Sequence, residues 1–126
     1  MPVERIANGR PVLLVEDEMA LVVMIEDALL RLGVRVVGPV ARLDAALRLA
    51  REAPIDAAVL DINIRGGNSY PVADILTERS IPFVFCTGYG DWALEERYRD
   101  RPRLTKPFNS RDLECRVLEM LGVRAT

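Results

Sequence analysis

Short apolar runs alternate with amphipathic stretches along the chain, and the alternation repeats five times. Pro11 introduces Val12-Leu13-Leu14-Val15, a run that suits a buried strand and stops abruptly at Glu16-Asp17-Glu18. The next segment places Val22, Ile25, Leu29 and Leu32 at helical spacing, with Gly33 set to end the helix in a left-handed cap. Val34 to Val37 reads as a second strand. Arg42 to Glu52 follows as a second helix, with Leu43, Ala46, Leu47 and Ala50 on one face and Pro54 barring continuation. Ile55 to Leu60 is a third strand that also ends at an acid, Asp61, before the turn-forming Asn63, Gly66, Gly67 and Asn68. Ser69 is placed to cap a third helix, with Pro71 in its first turn and Val72, Ile75 and Leu76 toward the core. Pro82 to Cys86 is a fourth strand, followed by Thr87-Gly88-Tyr89-Gly90 and a charged segment, Asp91 to Arg99, with room for a helix of about two turns. Leu104 marks a brief fifth strand before Lys106-Pro107. Asn109 or Ser110 then caps a last helix with Leu113, Val117 and Leu121 facing inward before Gly122.

Strands joined through helices of this length run parallel with right-handed crossovers, so the pattern predicts an α/β fold: an open, doubly wound, five-stranded parallel sheet covered on both faces. The 126 residues show no linker, repeat or low-complexity segment and suit one domain spanning 1–126, with its core at about 10–122 and no output domain. With 50% apolar residues, a chain of this length buries a core without disulfides. Cys86 and Cys115 form no C-x-x-C motif, so neither a disulfide framework nor a four-ligand zinc site is suggested, and a reducing cytoplasm fits. Cys86, in an apolar strand, reads as a small core residue.

Composition narrows the chemistry. The chain has no histidine, which removes the commonest general base and metal ligand and any Ser-His-Asp or Cys-His pair. Of its 17 basic residues only one, Lys106, is lysine. A net charge of −2 with interspersed arginines offers no stripe for nucleic-acid phosphates, so direct nucleic-acid binding is not expected. The longest apolar run, Met19 to Ile25, is too short to span a bilayer, and the N-terminus lacks a signal-peptide pattern.

In open parallel sheets the ligand site forms beyond the carboxyl ends of the strands. The residues at those ends are Glu16, Asp17, Asp61, Thr87 and Lys106. Singly, the acids read as helix-start or turn residues, Thr87 as a local backbone binder and Lys106 as a surface lysine. Together they read differently, because three carboxylates in one crevice repel one another unless a cation lies among them. Oxygen-only ligands imply magnesium or calcium, and carboxylates without a carbonyl cage favour Mg²⁺. A hydroxyl and a compact ammonium at the same rim then suit a phosphoryl group.

Through VLLVEDE, VLDIN, FCTG and TKPF, in order and on the expected elements, the sequence resembles the receiver domain of two-component response regulators over essentially its whole length. The resemblance implies a flavodoxin-like sheet of order 2-1-3-4-5 and a phosphoacceptor, Asp61, charged by the phosphohistidine of a sensor histidine kinase or histidine phosphotransfer protein. It implies that Asp17 binds Mg²⁺ directly, Glu16 through water and Asn63 through its backbone carbonyl. Thr87 and Lys106 would contact the phosphoryl oxygens, and Gly88 would leave them space. Typical receivers carry a switch aromatic three residues before the lysine, where this chain has Arg103. The segment Phe83 to Gly90 resembles the FATGUY subgroup, mostly single-domain receivers with a shortened fourth helix. That makes Tyr89 either a replacement signal or a surface loop aromatic, and Trp92 either a packing residue or a partner anchor.

The expected function is signalling by contact with a downstream protein or by phosphoryl shuttling, without enzymatic turnover. One alternative is a Mg²⁺-dependent phosphohydrolase with an aspartyl-phosphate intermediate. Such enzymes typically carry an acid two residues after the nucleophile, and here that residue is Asn63. The other alternative is a receiver-like module that binds partners without phosphorylation.

Overall fold

A computed structural model describes residues 7–88 and 94–123. In chain order it comprises β1 (Pro11–Val15), α1 (Met19–Arg31), β2 (Arg35–Val40), α2 (Leu43–Glu52), β3 (Ala57–Asp61), β4 (Asn63–Ile64), β5 (Gly67–Asn68), α3 (Tyr70–Glu78), β6 (Phe83–Thr87), a single 3₁₀ turn (Glu96–Tyr98), β7 (Arg103–Thr105) and α4 (Ser110–Leu121). Five strands form one parallel sheet in the order β2-β1-β3-β6-β7, which is 2-1-3-4-5 counted along that sheet.

The central strands are apolar throughout because both of their faces are covered. Leu13, Val15, Leu60, Phe83 and Phe85 pack on one side with Ala46, Ala50, Val72 and Leu76 of α2 and α3. Val12, Leu14, Val59, Val84 and Cys86 pack on the other with Ile25, Leu29, Leu113 and Val117 of α1 and α4. Strand alternation thus divides each strand between two cores. Cys86 is fully buried and its thiol is pushed up by that burial and by nearby Glu16, in keeping with a packing role.

Four expectations are corrected. Strand β2 runs past Val37 to Val40, through Gly38 and Pro39, because the β1–β2 register shifts between Leu13 and Val15. An edge strand tolerates the proline. Gly38 has φ +100°, and a Cβ there would lie 2.9 Å from the Val40 nitrogen and 3.0 Å from the Leu14 carbonyl oxygen. The resulting irregularity matters for the site, since the Val40 carbonyl accepts the Glu16 N–H at 3.0 Å. Gly38→Ala is therefore expected to cost about 2 kcal/mol or more, through strain and backbone clash together. Urea denaturation checks this, and an unchanged midpoint contradicts it.

The turn after Asp61 is a small antiparallel hairpin, pairing Asn63 with Asn68 and Ile64 with Gly67. Gly66 and Gly67 enable it with φ of +93° and +147°. Ser69 precedes α3 but does not cap it: its backbone is not extended, and its hydroxyl is buried without a hydrogen-bond partner. The Asn68 side chain instead accepts the Tyr70 N–H at 3.1 Å. The two-turn helix expected over Asp91 to Arg99 is, in its described part, only the 3₁₀ turn at Glu96–Tyr98; residues 89–93, including Tyr89 and Trp92, lie outside the described residues. At α4 the Asn109 side chain does cap, accepting the Asp112 N–H at 2.8 Å.

Candidate functional site

Parallel strands deliver their C-terminal residues to one edge of the sheet, and there β1, β3, β6 and β7 release Glu16-Asp17, Asp61, Thr87 and Lys106. Asp61, Ile62, Asn63, Thr87, Gly88 and Lys106 line a cleft of about 340 Å³. Of these, Asp61, Ile62 and Thr87 are buried and fixed by the fold, and Glu16 behind them is buried as well.

One carboxylate oxygen each from Glu16, Asp17 and Asp61 lies within 4.8 Å of the others. Lys106 faces this group, its Nζ 3.4 Å from Asp61 Oδ1 and 3.8 Å from Glu16 Oε1. Its backbone N–H donates to the Thr87 carbonyl at 2.7 Å, tying the lysine to the threonine strand. The Lys106–Pro107 peptide bond is cis.

Electrostatics follow from this crowding. Burial, and then Asp61, raise Glu16 from 4.5 to about 7. Burial likewise raises Asp61, against the opposing pull of Lys106. For Lys106 burial acts downward, but Asp61 and Glu16 outweigh it and the ammonium is held above its ordinary value. Glu16 Oε2 accepts the Glu18 N–H at 3.1 Å, while Oε1 is buried without a hydrogen-bond partner. A buried carboxylate oxygen left this way calls for a proton or a cation.

The structure thus brings Glu16, Asp17, Asp61, Asn63, Thr87, Gly88 and Lys106 to one cleft. A Cβ at Gly88 would meet nothing within 4 Å, so the glycine preserves open cleft space rather than relieving a clash. Arg103 does not join them: it lies on β7 opposite Phe85, and its guanidinium donates to the Arg99 carbonyl at 3.2 Å. Sequence reasoning overlooked Glu18, whose carboxylate lies 3.9 Å from Lys106 Nζ and whose backbone orients Glu16. Its place in the acidic run at the end of β1 was the available signal.

A 2-1-3-4-5 parallel sheet with acids after its first and third strands, a hydroxyl after the fourth and a lysine after the fifth has the architecture of a receiver domain. The family model for the response regulator receiver domain matches residues 12–118, and the chain belongs to that family. Among solved structures, SdrG from Sphingomonas melonis Fr1 is 44% identical, with 90% of this chain and 97% of that one covered and a TM-score of 0.77. The BeF3-activated conformation of SdrG, from Pseudomonas melonis Fr1, is 45% identical over 88% and 94% of the two chains, with a TM-score of 0.72. The receiver domain of a sensor histidine kinase from Pseudomonas aeruginosa PAO1 is 26% identical over 90% and 98%, with a TM-score of 0.74, and holds a magnesium ion in its active-site cleft. No curated protein sequence matches the chain. Among the described residues no helix is long and apolar enough to cross a membrane.

Proposed function

We propose that the domain accepts a phosphoryl group on Asp61 from a phosphohistidine of a partner kinase or phosphotransfer protein, and passes the signal on by protein contact or phosphoryl shuttling. The observation that carries this reading is the placement of Asp61, buried at the cleft floor with an ammonium 3.4 Å away and two further acids within 4.8 Å. A carboxylate oxygen of Asp61 forms a bond to phosphorus as the phosphorus–nitrogen bond to the donor imidazole breaks. Lys106 stabilises the charge on the transferring oxygens, and the Thr87 hydroxyl donates to them once they are in place. The donor histidine must arrive on another protein, because this chain has none.

The donor set of three carboxylates with an unsatisfied buried oxygen fits Mg²⁺. Asp17 and Asp61 would hold it, with Glu16 and the Asn63 carbonyl completing the site, and when bound it neutralises phosphoryl charge. Asn63 offers no acid to protonate a leaving group, so the reading is a signalling domain that loses its acyl phosphate to water slowly, and not a turnover phosphohydrolase. Unpaired Cys86 and Cys115 suit a cytoplasmic setting.

Intact mass after incubation with acetyl phosphate tests the proposal. One labile phosphoryl adduct that requires Mg²⁺ is expected; no adduct, or steady phosphate release without one, refutes it. Lys106→Arg is expected to slow adduct formation at least about tenfold, since a forked guanidinium does not reproduce a point charge wedged among Asp61, Glu16 and Glu18. Wild-type rates in that variant would contradict the role given to the ammonium.

A further inference from the structure

Phe83, Phe85 and Thr87 share one face of β6 by strand alternation. On that face, next to Tyr70 of α3, the ring of Tyr98 from the 3₁₀ turn packs against Phe83 and Phe85. Its ring stacks on Tyr70 at 5.8 Å with an interplanar angle of 4°. It meets Phe83 and Phe85 edge-on at 5.8 and 5.5 Å. Packing of this kind explains the ring but not its polar end. The Tyr98 hydroxyl donates to Asp74 Oδ1 of α3, and Arg97 reaches the same carboxylate oxygen at 3.1 Å. The Tyr70 hydroxyl in turn accepts the Glu95 N–H at 3.0 Å. Residues 95–98 are therefore fastened to α3 by a ring stack and three polar contacts that use three different residues of the segment and two of the helix.

The fastening sits close to Thr87 in both chain and space. Leu94, buried beside Tyr98, is only seven residues after Thr87, and Phe85, which touches the Tyr98 ring, is two residues before it. Beyond the clasp, Arg103 on the strand next to β6 holds the Arg99 carbonyl. A displacement of Thr87 toward Asp61 must be absorbed in that short connection or in the ring stack. Packed aromatic contacts hold discrete arrangements rather than deforming continuously.

We propose that the Tyr98–Asp74 clasp, with Tyr70, is a positioning device for Thr87: it is closed in the phosphoryl-free domain and opens when Thr87 engages the phosphoryl group. The clasp thus stands in energetic opposition to phosphorylation, and Tyr98 and Asp74 are the residues through which the segment after β6 reports it. This rests on the phosphoacceptor reading above, so its test must separate the two.

Beryllofluoride titration in the presence of Mg²⁺, followed by the fluorescence of the sole tryptophan, Trp92, and by amide resonances, serves this purpose. Wild type is expected to bind; failure to bind overturns the phosphoacceptor reading and the clasp with it. Tyr98→Phe keeps the ring and removes only the hydroxyl, and Asp74→Asn weakens its acceptor. Each is expected to tighten beryllofluoride binding by about three- to tenfold, and the double variant no further than either alone, since both remove one bond from the state that does not bind. Binding that is unchanged or weaker in both variants, with only thermal stability lowered, would reduce the clasp to packing and overturn the proposal. In unmodified protein the Glu95 amide is expected to be protected from hydrogen exchange and to lose that protection when beryllofluoride binds. Equal protection in both states also overturns it.

Discussion

Asp61→Asn is expected to take up no phosphoryl group at any concentration of acetyl phosphate or phosphorylated donor, while remaining folded. The amide is nearly isosteric with the carboxylate, so the buried position at the end of β3 is filled as before. What disappears is the anionic oxygen on the cleft lining: Glu16 and Asp17 lie within 4.8 Å of it but are not among the residues that line the cleft with Thr87 and Lys106, and Glu16 has one oxygen bonded to the Glu18 N–H. Stability changes little because two effects oppose each other. Lys106 loses its nearest partner, at 3.4 Å, but keeps Glu16, and the repulsion between Asp61 and Glu16 is gone. Intact mass and thermal denaturation on the same sample decide the matter. A phosphoryl adduct in the variant would place the acceptor elsewhere.

The second large effect is on pH dependence in the absence of divalent cations. Glu16 titrates at about 7 in the folded domain against 4.5 in the unfolded chain, first because it is buried and second because Asp61 is beside it. A carboxyl raised in this way binds more protons folded than unfolded between those two values, so stability rises as pH falls from above 7 toward 4.5 and levels off below. Asp61, raised as well, adds in the same direction. The full shift corresponds to roughly 3 kcal/mol. Only 1% of the Glu16 side chain is exposed, but Asp61 beside it lines the open cleft, and screening there reduces the effect to about 1–3 kcal/mol. Metal-free protein is therefore expected to melt at a higher temperature near about pH 5.5 than near about pH 8, by several degrees. Saturating Mg²⁺ is expected to reverse or flatten this trend, because ligation requires the deprotonated carboxylates, and Mg²⁺ affinity should fall up to about tenfold per pH unit below 7 for each proton displaced. Metal-free protein that grows more stable toward alkaline pH would contradict the assignment. In Asp61→Asn the slope should be shallower, since burial then raises Glu16 without the added repulsion of the Asp61 charge.

Much of the architecture was legible because parallel sheets impose it on the sequence. Strands covered on both faces are apolar along their length, which is why Val12 to Val15, Ile55 to Leu60 and Pro82 to Cys86 stood out, and why each run stopped at a polar residue at the carboxyl edge of the sheet. The site was legible for the same reason: strand ends are readable, and the fold gathers them. The single lysine and the absence of histidine then limited the chemistry to oxygen ligands and a point charge. Short-range features were less readable. The β4–β5 hairpin has two residues per strand, too few for periodicity to show, and Ser69 matched a cap by residue type while its backbone did not adopt a cap conformation.

The sequence by itself determined the order of strands and helices along the chain, the covering of the sheet on both faces, and the identity of the acids, hydroxyl and ammonium at the carboxyl edge. It did so because burial and connectivity act on every residue in register with a period of 2 or 3.6. Only the tertiary structure decided the rest: that Gly38 bends the edge strand so that Val40 holds Glu16, that Glu18 stands within reach of Lys106, and that Tyr98 covers the sheet beside α3 while bonded to Asp74. These contacts join residues far apart in the chain and obey no period, so they exist only once the sheet has brought their elements together.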